Sequence, residues 1–183
     1  MRLSRLAALI AVLGLTLAAY CPSANAASQR YGPLGSQFTA SFPSKPRSAS
    51  NSTSLLQNFP AGSHAYAYWL SPSTQIFGHN VPVPAPPSFI VFVGVLSSAA
   101  GGASYVQLVG SLPGMKVVTL DGLSGYEFLG SEGSKLNQGN KLTDPKATEG
   151  VLGLRRGATV YLVYAITAGR PAAQAFLASF RPV

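Results

Sequence analysis

The chain holds few side chains that could do covalent chemistry, and they stand far apart. Ser124 sits in Gly122-Leu123-Ser124-Gly125, which resembles a nucleophile elbow. The elbow requires one more residue between Ser and the second Gly, and a helix after it. Here Tyr126-Glu127-Phe128 follows, which reads as strand, so a tight hairpin turn is the preferred reading. Two histidines, His64 and His79, and five acids, Asp121, Glu127, Glu132, Asp144 and Glu149, complete the inventory. No pair among them has metal-ligand or acid–base spacing, and Gly101-Gly102 lacks the Lys-Ser/Thr that a phosphate-cradling loop needs. The sequence therefore assigns no catalytic, cofactor-binding or metal-binding residue. A hydrolase using Ser124 or a site centred on His79 remains the alternative.

The single cysteine, Cys21, belongs to the leader. Arg2 and Arg5 precede an uncharged apolar stretch, Leu6 to Ala19, and Ala24-Asn25-Ala26 fits the small-residue requirement of a signal peptidase. Residues 1–26 are read as a signal peptide and 27–183 as one exported domain. Lipidation at Cys21 is the rival, with Tyr20 standing where a small residue is usual. Cleavage after Ala26 removes the cysteine, leaving no disulfide framework and no thiol chemistry. It also takes the formal net charge from +8 to +6, since Arg2 and Arg5 leave with the leader. That balance suits anionic partners, either lipid or polymer. The basic residues are scattered, and only Arg155 and Arg156 are adjacent, so nucleic acid is not the expected partner.

The elements that must position these groups are mostly strands. Leu34 to Phe42 alternates, with Phe38, Ala40 and Phe42 on one side. Ser54 to Phe59 reads as a second strand, and His64 to Leu70, where aromatics alternate with alanines, as a third. Val81 to Pro87 is too proline-rich for helix or central strand and reads as an extended connector. Ser88 to Leu96 is a continuous apolar run, the mark of a central strand covered on both faces. Ser97 to Ala103 reads as flexible, and Tyr105 to Leu112 as a short helix. Two strands, Met115–Leu120 and Tyr126–Leu129, flank a turn at 121–125. The polar stretch Gly130–Gly150 reads as a long exposed loop, and Val151–Arg156 and Ala158–Ile166 as a pair joined at Gly157. Arg170-Pro171 opens a last helix whose Ala173, Phe176, Leu177 and Phe180 share one stripe. The expected class is α+β, an antiparallel sheet with helices packed on it, including one at the C-terminal end. Tyr66, Tyr68, Trp69 and Tyr161 could line a groove between sheet and loops, although core packing is the preferred reading for strand aromatics. With His79, Arg155 and Arg156, the residues Tyr66, Tyr68 and Trp69 form the candidate binding surface.

Four stretches together resemble a known family. They are "SFPSKP" (41–46), "GLSGYEF" (122–128), "LRRGATVYLVY" (154–164) and the closing "FLASF" (176–180). The arrangement is similar to the small secreted PsbP-like domains of bacteria, which share the fold of the extrinsic PsbP subunit of photosystem II. The resemblance implies that fold over most of residues 31–183, and a non-enzymatic accessory or binding role. The expected partner is an envelope or extracellular protein, or an anionic polymer.

Overall fold

The computed structural model describes residues 28–57, 59–72, 86–130 and 147–183. Among them it places ten strands and three helices, an α+β architecture with antiparallel sheets and a C-terminal helix. The strands are β1 (Gln29–Tyr31), β2 (Phe38–Ala40), β3 (Arg47–Ser50), β4 (His64–Leu70), β5 (Ser88–Val95), β6 (Lys116–Leu120), β7 (Leu123–Gly130), β8 (Thr148–Arg156), β9 (Thr159–Thr167) and β10 (Arg181–Pro182). The helices are α1 (Thr53–Leu56), α2 (Ala99–Gly110) and α3 (Arg170–Ser179). A seven-stranded sheet runs in the order β3-β4-β5-β9-β8-β7-β6, and a three-stranded sheet in the order β1-β2-β10.

Side chains alternate across each strand, so the large sheet feeds a core on each of its faces. One face carries Phe89, Val91, Val93, Leu152, Leu154, Tyr161, Val163 and Ala165, and is covered by the small sheet and α3. The other carries Ala65, Ala67, Trp69, Ile90 and Val160, against Leu55 of α1 and Val106 of α2. The β5 run is buried along most of its length, as its continuous apolar character anticipates. The β4 alternation also holds. Ala65, Ala67 and Trp69 are buried on one side, while Tyr66, Tyr68 and Leu70 on the other are half-buried.

Two hairpins close on two residues each. Asp121 and Gly122 both have positive φ, 50° and 77°, between the paired Leu120 and Leu123. That is the type I′ pattern, whose twist matches the flanking strands. Gly157 (φ 58°) and Ala158 join Arg156 to Thr159, with the positive φ only at the first position.

Several expectations are corrected. Ser54–Phe59 is not a strand. Ser52 caps the short helix α1, its side chain accepting from the Leu55 N–H. Ser97–Ala103 is not a flexible linker, because Ser98 caps α2 by accepting from the Gly101 N–H at 3.0 Å and the helix starts at Ala99. Residues 123–125 belong to β7 rather than to a five-residue turn. The exposed-loop reading of 130–150 fails at its end, where Thr148 and Glu149 are buried in β8. Its residues 131–146 lie outside the described ones, as do 73–85 with most of the proline run. Pro171 stands at the second helical position of α3, after the Gly169 cap.

Candidate binding surface

The groups with chemical potential are each placed by a different element. Ser124 is exposed in the β6–β7 ladder with Thr119 as its Cα partner, so it lies on a strand and no helix follows it. His64 is exposed at the start of β4, opposite Val95. Asp121 sits in its hairpin turn and pairs with Arg181, Nε to Oδ2 3.4 Å. Both partners are half-exposed, so the pair contributes under about 1 kcal/mol. Glu127 lies opposite Lys116 across the β6–β7 ladder, and Glu149 is wholly buried in β8. No group of three His, Cys, Asp or Glu side chains gathers among the described residues. His79 and Cys21 lie outside them.

The aromatic candidates divide between the two faces of the large sheet. Tyr66 and Tyr68 point toward the small sheet, whereas Trp69, one residue on, packs in the opposite core beside Ile90 and Leu55. Trp69 therefore cannot share a groove with the two tyrosines, and Tyr161 is wholly buried. Tyr68 meets Phe38 edge-on at 5.4 Å between ring centroids and lies 5.6 Å from Tyr31. Burial pushes its phenol above the ordinary tyrosine range, opposed by a hydrogen bond with the Gly32 backbone and reinforced by Tyr66. Tyr31 is raised by burial as well. These three tyrosines form the half-open margin of a closed aromatic layer.

The adjacent arginines also part company. Arg155 pairs with Val160, whose side chain belongs to the α1–α2 core, while Arg156 follows Leu154 on the small-sheet face. Arg156 then reaches β10, where its Nη2 donates to the Pro182 carbonyl at 3.2 Å. There it joins two arginines that the sequence did not single out. Thr39 of β2 is the Cα partner of Arg30 on one side and of Arg181 on the other. Phe38 and Ala40 face the core, so Thr39 and both arginines lie on the outer face of the small sheet. At one strand spacing each, the two arginine Cα atoms are on the order of 10 Å apart. Arg30 Nη1 donates to Gln37 Oε1 at 3.4 Å, and Arg181 Nη1 donates to the Ala178 and Phe180 carbonyls at the end of α3. Strands of three and two residues are too short to show a period, which is why spacing could not reveal this row.

Compared with known protein families and with curated proteins, the chain matches none.

Proposed function

We propose that this is an exported, non-catalytic binding or accessory protein of the cell envelope or extracellular space, built on a PsbP-like domain. The observation that carries the reading is where the reactive side chains stand. Ser124 is spent in a strand ladder, Asp121 on Arg181, and Glu149 inside β8, each at a different place. Among the described residues, arginines gather on the outer face of the small sheet and tyrosines at the margin beneath it, groups suited to contact rather than to bond making. The apolar leader with its Ala24-Asn25-Ala26 site supports export.

A pull-down with the tagged protein from its own envelope fraction, at low and high salt, tests the binding role. A specific component retained with the protein is the expected result, and retention of nothing at either salt counts against it. Turnover by the purified protein that disappears in Ser124→Ala or His79→Ala would place it among the hydrolases instead. The intact mass of the exported protein checks the leader: the expected N-terminus is Ala27, and an acylated Cys21 overturns free export.

A further inference from the structure

The β1–β2 end of the small sheet combines an exposed apolar tip with a group of arginines. Among the described residues the large exposed apolar side chains are Leu34, Leu108, Val117 and Val183, and two of these four lie here. Leu34 is 93% exposed at the tip of the loop that joins β1 to β2. Its turn is closed by the Ser36 N–H donating to the Pro33 carbonyl at 3.1 Å, with Gly35 at φ 84°. That is the pattern of a type II turn, in which glycine supplies the positive φ and the preceding residue points outward. The Ser36 hydroxyl also donates to the Pro33 carbonyl, so the tip is held rather than loose. Val183, 42% exposed, is tied beside it by its N–H donating to the Gln37 carbonyl at 2.9 Å.

Further back along these strands stand the arginines, Arg30 four residues before Leu34 and Arg181 two before Val183. Arg30 and Arg181 flank Thr39, and Arg156 is anchored on Pro182. Asp121, bound to Arg181, is the carboxylate the structure pairs with this group. Three guanidinium groups against one carboxylate side chain leave a local excess of positive side-chain charge on a domain that carries +6 without Arg2 and Arg5. An arginine-only surface would fit any polyanion. A held leucine projecting beyond the arginines fits an interface that is anionic at its surface and apolar just beneath.

We propose that this end of the small sheet docks on an anionic phospholipid bilayer, with Leu34 entering the headgroup layer while Arg30, Arg156 and Arg181 meet lipid phosphates. The proposal deepens the binding role stated above by naming its partner, and rests on that role alone, not on the PsbP-like reading.

The test is sedimentation with vesicles of phosphatidylcholine containing about one-third phosphatidylglycerol, against vesicles of phosphatidylcholine alone, at low and high salt. All variants are made in one background, so the apolar Leu6–Ala19 stretch contributes equally to each. The protein should bind the anionic vesicles more tightly than the neutral ones, and that excess should fall as salt rises. Each arginine near a lipid surface accounts for about fivefold in binding, so Arg30→Glu with Arg156→Glu should lower it by at least about tenfold. Leu34→Ser removes an apolar side chain that only docking buries, and should weaken binding about fivefold without lowering the melting temperature. The decisive control is Arg155→Glu, a charge reversal next door in sequence but on the opposite face, which should cost less than about twofold at moderate salt, where screening is short-ranged.

Equal losses from Arg155→Glu and Arg30→Glu would overturn the proposal, because the charge would then act without a place. Equal binding to neutral and anionic vesicles, or binding to neither, overturns it too. Tight binding to soluble polyphosphate with no response to Leu34→Ser would assign the arginines to an anionic polymer instead. Hydrogen exchange gives a local readout: the amides of residues 34–37 should slow on vesicles, and unchanged exchange there rejects the docking site. A protein retained at high salt in the pull-down, with no vesicle binding, rejects this inference and leaves the binding role standing. Turnover lost in Ser124→Ala rejects that role itself.

Discussion

The two faces of the large sheet solve the same packing problem by opposite means. Toward the small sheet and α3 the gap is filled with rings. Phe38 touches Tyr31, Tyr68 and Phe180, Phe176 touches Phe42 and Phe89, and Phe180 touches Tyr161, all with centroids 4.9–5.6 Å apart. Toward α1 and α2 the gap is closed by approach instead. A Cβ on Gly102 would lie 2.8 Å from the Gly157 carbonyl oxygen, and one on Gly110 would run into the Tyr126 ring. Rings fill most of the first gap, and the close approach of α2 to the sheet narrows the second. Damage should therefore come from removing volume on the first face and from adding it on the second.

The largest effect is expected on the ringed face. Phe38 is wholly buried with three aromatic neighbours, so Phe38→Ala leaves a cavity that a layer tied to both sheets cannot close. A cost of about 3–5 kcal/mol is expected, visible as a lower denaturation midpoint at unchanged slope. A loss under about 1 kcal/mol would mean the rings rearrange freely and that volume is not what holds this face.

Alkaline titration separates the faces through their tyrosines. Burial pushes the Tyr105 phenol, stacked on Phe59 at 5.3 Å, up to about 12 from an ordinary value near 10. In the folded state it keeps its proton where the unfolded chain has lost it. Its contribution is thus fully present below pH 10 and declines as pH rises through about 12. Two units correspond to about 2–3 kcal/mol, and Tyr105→Phe should flatten that part of the alkaline decline in pH-dependent unfolding. Tyr31, Tyr68 and Tyr161 on the ringed face are raised in the same direction. Their raised phenols add to any alkaline decline that remains in the variant.

The close-approach face is probed by a matched pair in α2. Gly102→Ala forces a methyl against the backbone of the β8–β9 turn and should cost about 1–3 kcal/mol despite alanine's better helix propensity. Gly101→Ala meets only the Ser98 and Leu96 side chains, at 3.3 Å or more, and should be neutral within about 0.5 kcal/mol in the same denaturation measurement. Equal behaviour of the two variants would dissolve the contrast between the faces.

The pair also explains what the sequence could and could not disclose. Long elements with their own period were legible: the Tyr/Ala alternation of β4, the apolar run of β5, and the stripe of Ala173, Phe176 and Leu177 on α3. Where tertiary contact overrides local preference, legibility ended. Gly101-Gly102 argues locally against a helix, yet α2 needs a residue without Cβ where it crosses the Gly157 carbonyl. Leu55, Leu56 and Phe59 suit a helical stripe, but α1 spans only four residues, too few to tell a helical period from a strand. The candidate surface failed in a similar way. Tyr66 and Tyr68 were singled out and do lie on one face, but adjacency in sequence misled twice. Trp69 follows Tyr68, and Arg155 precedes Arg156, yet a strand sends neighbours to opposite sides. Arg30 and Arg181 come together only because both strands pair with β2.

The smallest effect asked of the comparison concerns one oxygen inside the ringed layer. The Tyr161 hydroxyl is buried with no hydrogen-bond partner among the described residues. Burial raises its phenol and the charge of Arg156 opposes that shift, so the guanidinium lies within electrostatic reach of the hydroxyl. If the layer works by volume, the ring matters and the hydroxyl does not. Tyr161→Phe keeps the ring against Phe180 and removes an uncompensated polar atom, so stability should be unchanged or rise by up to about 1 kcal/mol. A double-mutant cycle with Arg156→Met sharpens the point. Coupling below about 0.5 kcal/mol leaves Arg156 available to act at the surface, whereas a larger value would bind that arginine to the core and weaken its claim as a docking residue.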